Sequence, residues 1–197
     1  ALSDTVLVDV GPYPGGYAWA FPKGDRINVG VMLEYARGGA LRESLAHFIA
    51  GQPDLPAIGD AIQHAAPVAA PRAAPVPCAR PGVLLVGDAA RLADPFLGEG
   101  IYSAVRSGAM AAEAILAGGG SGETARRYTD RVAMAIWPDL IAASRIALLF
   151  HRMPRWWHYL CSKMPGSLSG VVKVLAGEES YRGLLRQIVQ RVELRAN

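Results

Sequence analysis

Between Gly82 and Ile101 the chain reads GVLLVGDAARLADPFLGEGI. Val83 to Val86 is a short unbroken apolar run, the pattern of a strand buried on both faces of an α/β sheet. It stops at Gly87-Asp88, passes a turn of small residues, and reaches Pro95 and the glycines at 98 and 100. Gly100 to Ala117 then follows helical spacing, with Ile101, Val105, Gly108, Ala112 and Ile115 forming a stripe whose small members let the helix lie close on the sheet. Ligands of open α/β sheets sit just past the carboxyl ends of the strands. This order therefore delivers one carboxylate and one helix N-terminus to the same place, which suits a ligand that carries hydroxyls and gains negative charge.

A flavin dinucleotide is such a ligand. Asp88 can accept hydrogen bonds from a ribityl chain, and Gly87 lets backbone and ligand approach with no β-carbon between them. Pro95 stiffens the approach to Gly98, Glu99 and Gly100, whose N–H groups open the helix and are unpaired donors. The helix dipole adds about 0.3–2 kcal/mol for a negative charge placed there. The competing reading is an ordinary loop, with Asp88 capping the Ala89 turn.

Upstream, Thr5 to Val10, Tyr17 to Phe21 and Ile27 to Leu33 read as strands of a meander, with a turn at Pro22-Lys-Gly-Asp25. In Pro14-Gly-Gly-Tyr17-Ala-Trp19-Ala-Phe21-Pro22 the three aromatics recur every second residue, so they share one strand face with alanine opposite. Across the turn Asn28, Gly30 and Met32 share a face. An aromatic wall beside a glycine makes a bed for a long apolar substrate; spacing alone favours three rings packed into a core.

The string GDAARLADPFLGEGIYSAVRSG is similar to the second flavin-contacting motif of the FAD-dependent oxidoreductases related to para-hydroxybenzoate hydroxylase, and most of all to their geranylgeranyl reductase branch. PGGYAWAFP likewise resembles the P-x-x-Y-x-W-x-F-P pattern of that branch. The resemblance implies FAD as cofactor, with Gly87, Asp88, Pro95, Gly98, Glu99, Gly100 and Ile101 holding it. Pro14, Tyr17, Trp19, Phe21, Pro22 and Gly30 would then contact an isoprenoid or prenyl-lipid substrate. It also implies hydride transfer from reduced flavin to a carbon-carbon double bond, with NAD(P)H or a ferredoxin-type donor supplying electrons. The catalytic proton donor is not assigned: Tyr17 and Glu99 are the candidates within these residues, and the alternatives are a group in the absent half or water. Arg91 stands where many aromatic hydroxylases carry a His.

The resemblance covers residues 5–117 well and the remainder poorly. No strand in the chain is followed by GxGxxG, so the ADP-binding half is expected to precede Ala1, and the chain reads as the C-terminal portion of a longer enzyme. Alone, it is expected to bind FAD weakly and to turn over nothing. The expected fold is α/β (an α+β fragment). Residues 1–64 form part of a substrate-binding antiparallel sheet and 65–82 a Pro/Ala-rich crossover. Residues 83–122 form part of an FAD-binding domain and 123–197 a helical region.

Gly118 to Gly122 contains GGGSG, but it follows a helix rather than a strand, which makes it a helix end and linker rather than a phosphate loop. Ser121 or Thr124 can cap the next helix, which Pro138 kinks or breaks. A further helix covers Asp139 to Phe150 and a last one Tyr181 to Leu194. With 197 residues, 51% hydrophobic, a sizeable core is within reach. The net charge of +3 is too weak to argue for nucleic acid.

Cys78 and Cys161 form no CxxC; His158-x-x-Cys161 is at most a metal half-site against a structural thiol, so no metal is expected and a reducing, cytoplasmic setting fits. No run approaches the ~18 apolar residues of a spanning helix. Arg152, Arg155, Trp156, Trp157, His158 and Tyr159 mix cations with aromatics, as segments seated at a membrane face do. They would place the protein peripherally at the inner membrane face; the alternative is a helix end packing its tryptophans inward. Two other functions compete with the reductase: an FAD monooxygenase of an apolar substrate, and a non-catalytic lipid- or partner-binding domain.

Overall fold

A computed structural model describes residues 4–11, 13, 15–33, 40–55, 64–68, 70, 74–153, 155, 157, 159 and 169–196. The chain divides into two units, Ala1–Pro67 and Val68–Asn197, separated inside the Pro/Ala-rich stretch.

In the first unit β1 (Leu7–Asp9), β2 (Tyr17–Lys23) and β3 (Arg26–Met32) form an antiparallel meander in that order. β2 runs on through Pro22, and the turn is the Gly24-Asp25 pair, with Lys23 opposite Arg26 and Gly24 at a φ of 63°. Two residues are enough because glycine takes the left-handed conformation that a tight hairpin demands. Ala18 and Ala20 are fully buried, in one cluster with Tyr13, Leu55 and Phe48 of α1 (Leu41–Ala50). The alanine face is thus the core face, and alternation sends Tyr17, Trp19 and Phe21 to the other side. A β-carbon on Gly16 would stand 1.7 Å from the Met32 carbonyl oxygen, so the entry to β2 requires bare backbone.

The second unit is mixed helix and sheet. β4 (Ala79–Arg80) and β5 (Val83–Leu84) make a small hairpin, followed by a 3₁₀ turn at Gly87–Ala90, then α2 (Ile101–Leu116), α3 (Ser121–Ala135), α4 (Trp137–Arg152), α5 (Ser169–Leu175) and α6 (Tyr181–Ala196). The reading of residues 83–86 as a strand buried on both faces is corrected: among the described residues β5 pairs with β4 alone, and Val83, Leu85 and Val86 are exposed. An apolar run can specify a buried strand, but only sheet neighbours can bury it. The Tyr128 hydroxyl of α3 donates to the Leu85 carbonyl at 2.6 Å and ties this segment to the helices.

The expected face of α2 is also corrected. Ser103, Ser107, Ala111 and Ala114 are its buried residues, while Ile101, Val105 and Ile115 are 77%, 70% and 61% exposed. Close packing selects for small side chains, and the Ser107 hydroxyl meets its polar needs on backbone, so the narrow polar-and-alanine face goes inward.

Gly118 and Gly119 have positive φ and close α2, as expected of a helix end. Neither Ser121 nor Thr124 caps α3, because the helix begins at Ser121 itself, with Gly120 as its cap residue and no side-chain cap bond. Pro138 sits in the first turn of α4, where its missing N–H costs nothing, and α3 and α4 are bent by 44° at the break. One core cluster joins Cys78, Leu92, Tyr128, Val132 and Trp137. Another joins Phe96, Ile146, Tyr181 and Leu184.

Candidate functional site

The turn after β5 is built against α2. Gly87 has a φ of 53°, its N–H donates to the Ser107 hydroxyl at 3.0 Å, and that hydroxyl in turn donates to the Ser103 carbonyl at 2.6 Å. A β-carbon on Gly87 would stand 2.8 Å from that of Ala104. Gly87 therefore serves the approach of turn to helix, a correction to its expected role beside a ligand. Arg91 takes a left-handed φ of 57° and its N–H donates to the Asp88 carbonyl at 2.9 Å, closing the turn.

With backbone on one side fixed in this way, Asp88 stays exposed and its carboxylate reaches the start of α2. A β-carbon on Gly100 would stand 2.5 Å from Asp88 Oδ1. The structure thus brings together a carboxylate and a helix N-terminus distant by a dozen residues, as the sequence led one to expect.

The connecting loop is held by Asp94, which sequence reasoning passed over. Its buried Oδ1 accepts the Phe96 N–H at 2.7 Å and the Leu97 N–H at 2.8 Å, and its own backbone exchanges bonds with Gly98 (2.9 Å) and Glu99 (2.6 Å). Burial pushes the Asp94 carboxyl above the usual carboxylate range and outweighs the hydrogen bonds it accepts. Tyr181 lies buried beside it; burial first, then the Asp94 charge, push its hydroxyl far above the ordinary phenol value and keep it protonated. Phe96 is pinned against Phe150 and Tyr181, at ring-centroid separations of 5.4 and 6.3 Å. Pro95 thus stands between two anchored neighbours. The available signal was the Asp-Pro pair, which favours a side-chain-capped turn.

Gly98 has a φ of 70° and donates its N–H to the Asp94 carbonyl, which corrects the expectation that it is an unpaired donor. The Glu99 carboxylate accepts the Tyr102 N–H at 2.9 Å, so it caps α2. Gly100 and Ile101 belong to the first turn, where N–H groups lack intrahelical partners. The arrangement can accept hydroxyl donors at Asp88 and present backbone N–H beside Gly98 and Gly100, which carry no β-carbon. Those features fit a polyol-bearing flavin. A groove of about 400 Å³ between α2 and α3, lined by Arg106, Met110, Glu113, Arg131 and Met134, takes in none of these residues.

In the first unit the aromatic face is open. Tyr17 and Trp19 lie 5.6 Å apart and Trp19 and Phe21 6.2 Å apart between ring centroids, and the Trp19 indole donates to Asn28 Oδ1 at 2.7 Å. Two expected members fall away. A β-carbon on Gly30 would stand 2.2 Å from the Trp19 ring, so the indole already covers that glycine instead of leaving it as an open floor. Pro22 shares the parity of Ala18 and Ala20 and lies on the alanine side. Pro14 lies outside the described residues. Val8, paired with Trp19 and exposed, widens the apolar face; sequence reasoning left it out because the register of β1 was not legible.

Of the cation-aromatic segment, Trp156 and His158, with Cys161 beyond, lie outside the described residues. Arg155 and Tyr159 are exposed, and the Trp157 ring lies 6.0 Å from that of Phe150. Cys78 is buried, which pushes its thiol up. Among the described residues no single helix is long and apolar enough to cross a membrane; α3 and α4 reach that composition only together, with Tyr128, Val132, Trp137 and Leu140 in the core.

No protein-family model matches the chain. It is 35% identical over 114 residues to a digeranylgeranylglycerophospholipid reductase of Methanothrix thermoacetophila, covering 56% of this chain and 28% of that protein. A protein of the same description from Methanoculleus marisnigri is 30% identical over 190 residues, covering 90% of this chain and 45% of its own length. Among solved structures, a geranylgeranyl bacteriochlorophyll reductase-like protein of Thermoplasma acidophilum superposes with a TM-score of 0.60 at 28% identity, covering 74% of this chain and 41% of the other. The chain thus spans less than half the length of each.

Proposed function

We propose that this chain, which is related to the geranylgeranyl reductases in sequence and fold over part of their length, supplies the ribityl- and ring-facing side of the FAD site in a reductase of isoprenoid double bonds. The observation that carries the reading is the Asp88 carboxylate set against bare Gly100 at the start of α2. Asp88 accepts hydrogen bonds from the ribityl hydroxyls, and Gly98 and Gly100 keep β-carbons away from the ring system. The unpaired N–H groups of the first turn, with the helix dipole, favour negative charge by about 0.3–2 kcal/mol. The group these residues would hold is the reduced flavin, which would supply a hydride to one carbon of the double bond while the other carbon takes a proton.

Glu99 and Tyr17 remain the named candidates for that proton. Glu99 already accepts the Tyr102 N–H. Tyr17, Trp19 and Phe21 offer the prenyl chain an apolar face, extended by Val8. The exposed stripe of Ile101, Val105 and Ile115 suits packing against the further domain that an FAD enzyme needs for the ADP end of its cofactor.

The test is product analysis in the full-length protein with reduced flavin and a prenylated glycerolipid. A mass gain of two hydrogens per double bond supports the reading. Oxygen uptake with a hydroxylated product would replace it with the monooxygenase. The relatives are named as reductases of a digeranylgeranylated glycerophospholipid, and that substrate class is the first to try.

A further inference from the structure

α4 and α6 enclose a groove of about 280 Å³, lined by Pro138, Ile141 and Arg145 from one helix and Arg182, Leu185 and Arg186 from the other. Three arginines line it together with apolar side chains, no carboxylate is among the lining residues, and the Arg186 Nε donates to the Arg182 carbonyl at 3.3 Å. Two carboxylates stand at its margins and are tied to backbone or amide donors: Asp139 accepts the Arg182 backbone N–H at 3.0 Å, and Glu179 accepts the Ser180 N–H and the Gln187 amide. Helical spacing carries the same row of α4 onward from Ile141 and Arg145 to Leu148, Leu149 and Arg152. Leu148 and Leu149 are 55% and 42% exposed, and Arg152 and Met153 are exposed beside them. From Arg145 to Asn197 the sequence holds nine Lys or Arg against three Glu, whereas the whole chain is only +3.

We infer that the α4–α6 face of the second unit is a docking surface for an anionic phospholipid bilayer, with Arg145, Arg182 and Arg186 on the headgroup phosphates and Leu148 and Leu149 entering the acyl boundary. Guanidinium groups suit phosphate oxygens, which they meet with paired N–H donors. A soluble phosphate would account for the arginines but not for two solvent-facing leucines in the same row. Cations alternating with exposed apolar side chains are what a surface helix needs to lie in a headgroup layer. The arginines assigned to headgroup phosphates, Arg145, Arg182 and Arg186, lie outside the cation-aromatic segment that begins at Arg152, whose Trp157 packs on Phe150. It requires neither bound flavin nor turnover, so it stands or falls apart from the reductase reading.

The experiment is co-sedimentation of the full chain with vesicles of phosphatidylcholine, with and without phosphatidylglycerol. The wild type should bind the phosphatidylglycerol vesicles and leave pure phosphatidylcholine in excess unbound. The triple variant Arg145→Ala, Arg182→Ala, Arg186→Ala should bind roughly a hundredfold more weakly with unchanged helical circular dichroism. Leu149→Asn, which leaves every charge in place, should weaken binding by about tenfold, and inorganic phosphate should compete only at the level expected of its ionic strength. Unchanged binding in the triple variant or in Leu149→Asn would overturn the inference. So would strong competition by inorganic phosphate, which would mark a soluble-anion site, or capture of duplex DNA in place of vesicles.

Discussion

The carboxylate of Asp88 and the backbone of Gly100 occupy one spot: a β-carbon on Gly100 would stand 2.5 Å from Asp88 Oδ1. The colliding atom is the end of a flexible side chain, and Gly100 has an ordinary φ of −131°. Gly100→Ala should therefore fold with a stability change below about 1 kcal/mol while swinging the carboxylate aside. Flavin affinity should drop roughly tenfold, the cost of about one hydrogen bond to a charged group. Titration of FAD fluorescence together with thermal unfolding checks both halves.

Gly87 presents the opposite case, because what a side chain would meet there is helix α2. With a φ of 53° and Ala104 at 2.8 Å, Gly87→Ala should destabilise the fold by about 2–4 kcal/mol. Ser107→Ala, which strands the buried Gly87 N–H, should cost about 1–3 kcal/mol. Urea unfolding monitored by circular dichroism measures both. Equal stability of Gly87→Ala and wild type would contradict the packing role.

Asp94 makes stability depend on pH in a defined direction. Burial raises its carboxyl in the folded state, so its contribution is fully present below the unfolded value of about 4 and is lost as pH rises through the folded value. Asp94→Asn keeps an oxygen for the Phe96 and Leu97 N–H groups and removes the buried charge. It should flatten that part of the pH profile and match or exceed wild-type stability at neutral pH. Asp94→Ala loses both bonds and should be less stable by about 1–3 kcal/mol at every pH. Unfolding series from mildly acidic to neutral pH distinguish these outcomes.

Much of this was legible in the residues, for reasons that can be named. The order Gly87-Asp88, Pro95, Gly98, Gly100 fixed a turn and a helix start close in sequence, and short loops leave little freedom in how such parts meet. Alternation in Tyr17, Trp19 and Phe21 placed three rings on one face; only α1, through Phe48, showed that the alanines are the core. The stripe of α2 misled because hydrophobicity ranks Ile101 and Val105 as inward, whereas the turn at Gly87 comes too close for anything larger than Ala104 and Ser107. The short strand at Val83 misled because its pattern reports tolerance of burial and says nothing of which strands lie beside it. Asp94 was passed over because its bonds to Phe96 and Leu97 leave no periodic trace, only the Asp-Pro pair that marks a turn.

The most direct test of the account is flavin content in the full-length protein after Asp88→Ala, with Asp88→Asn and Gly100→Ala alongside. The account predicts folded Asp88→Ala protein that has lost its bound flavin absorbance, with partial retention in Asp88→Asn, which can still accept a hydroxyl hydrogen bond. A folded Asp88→Ala protein carrying as much FAD as wild type would contradict it.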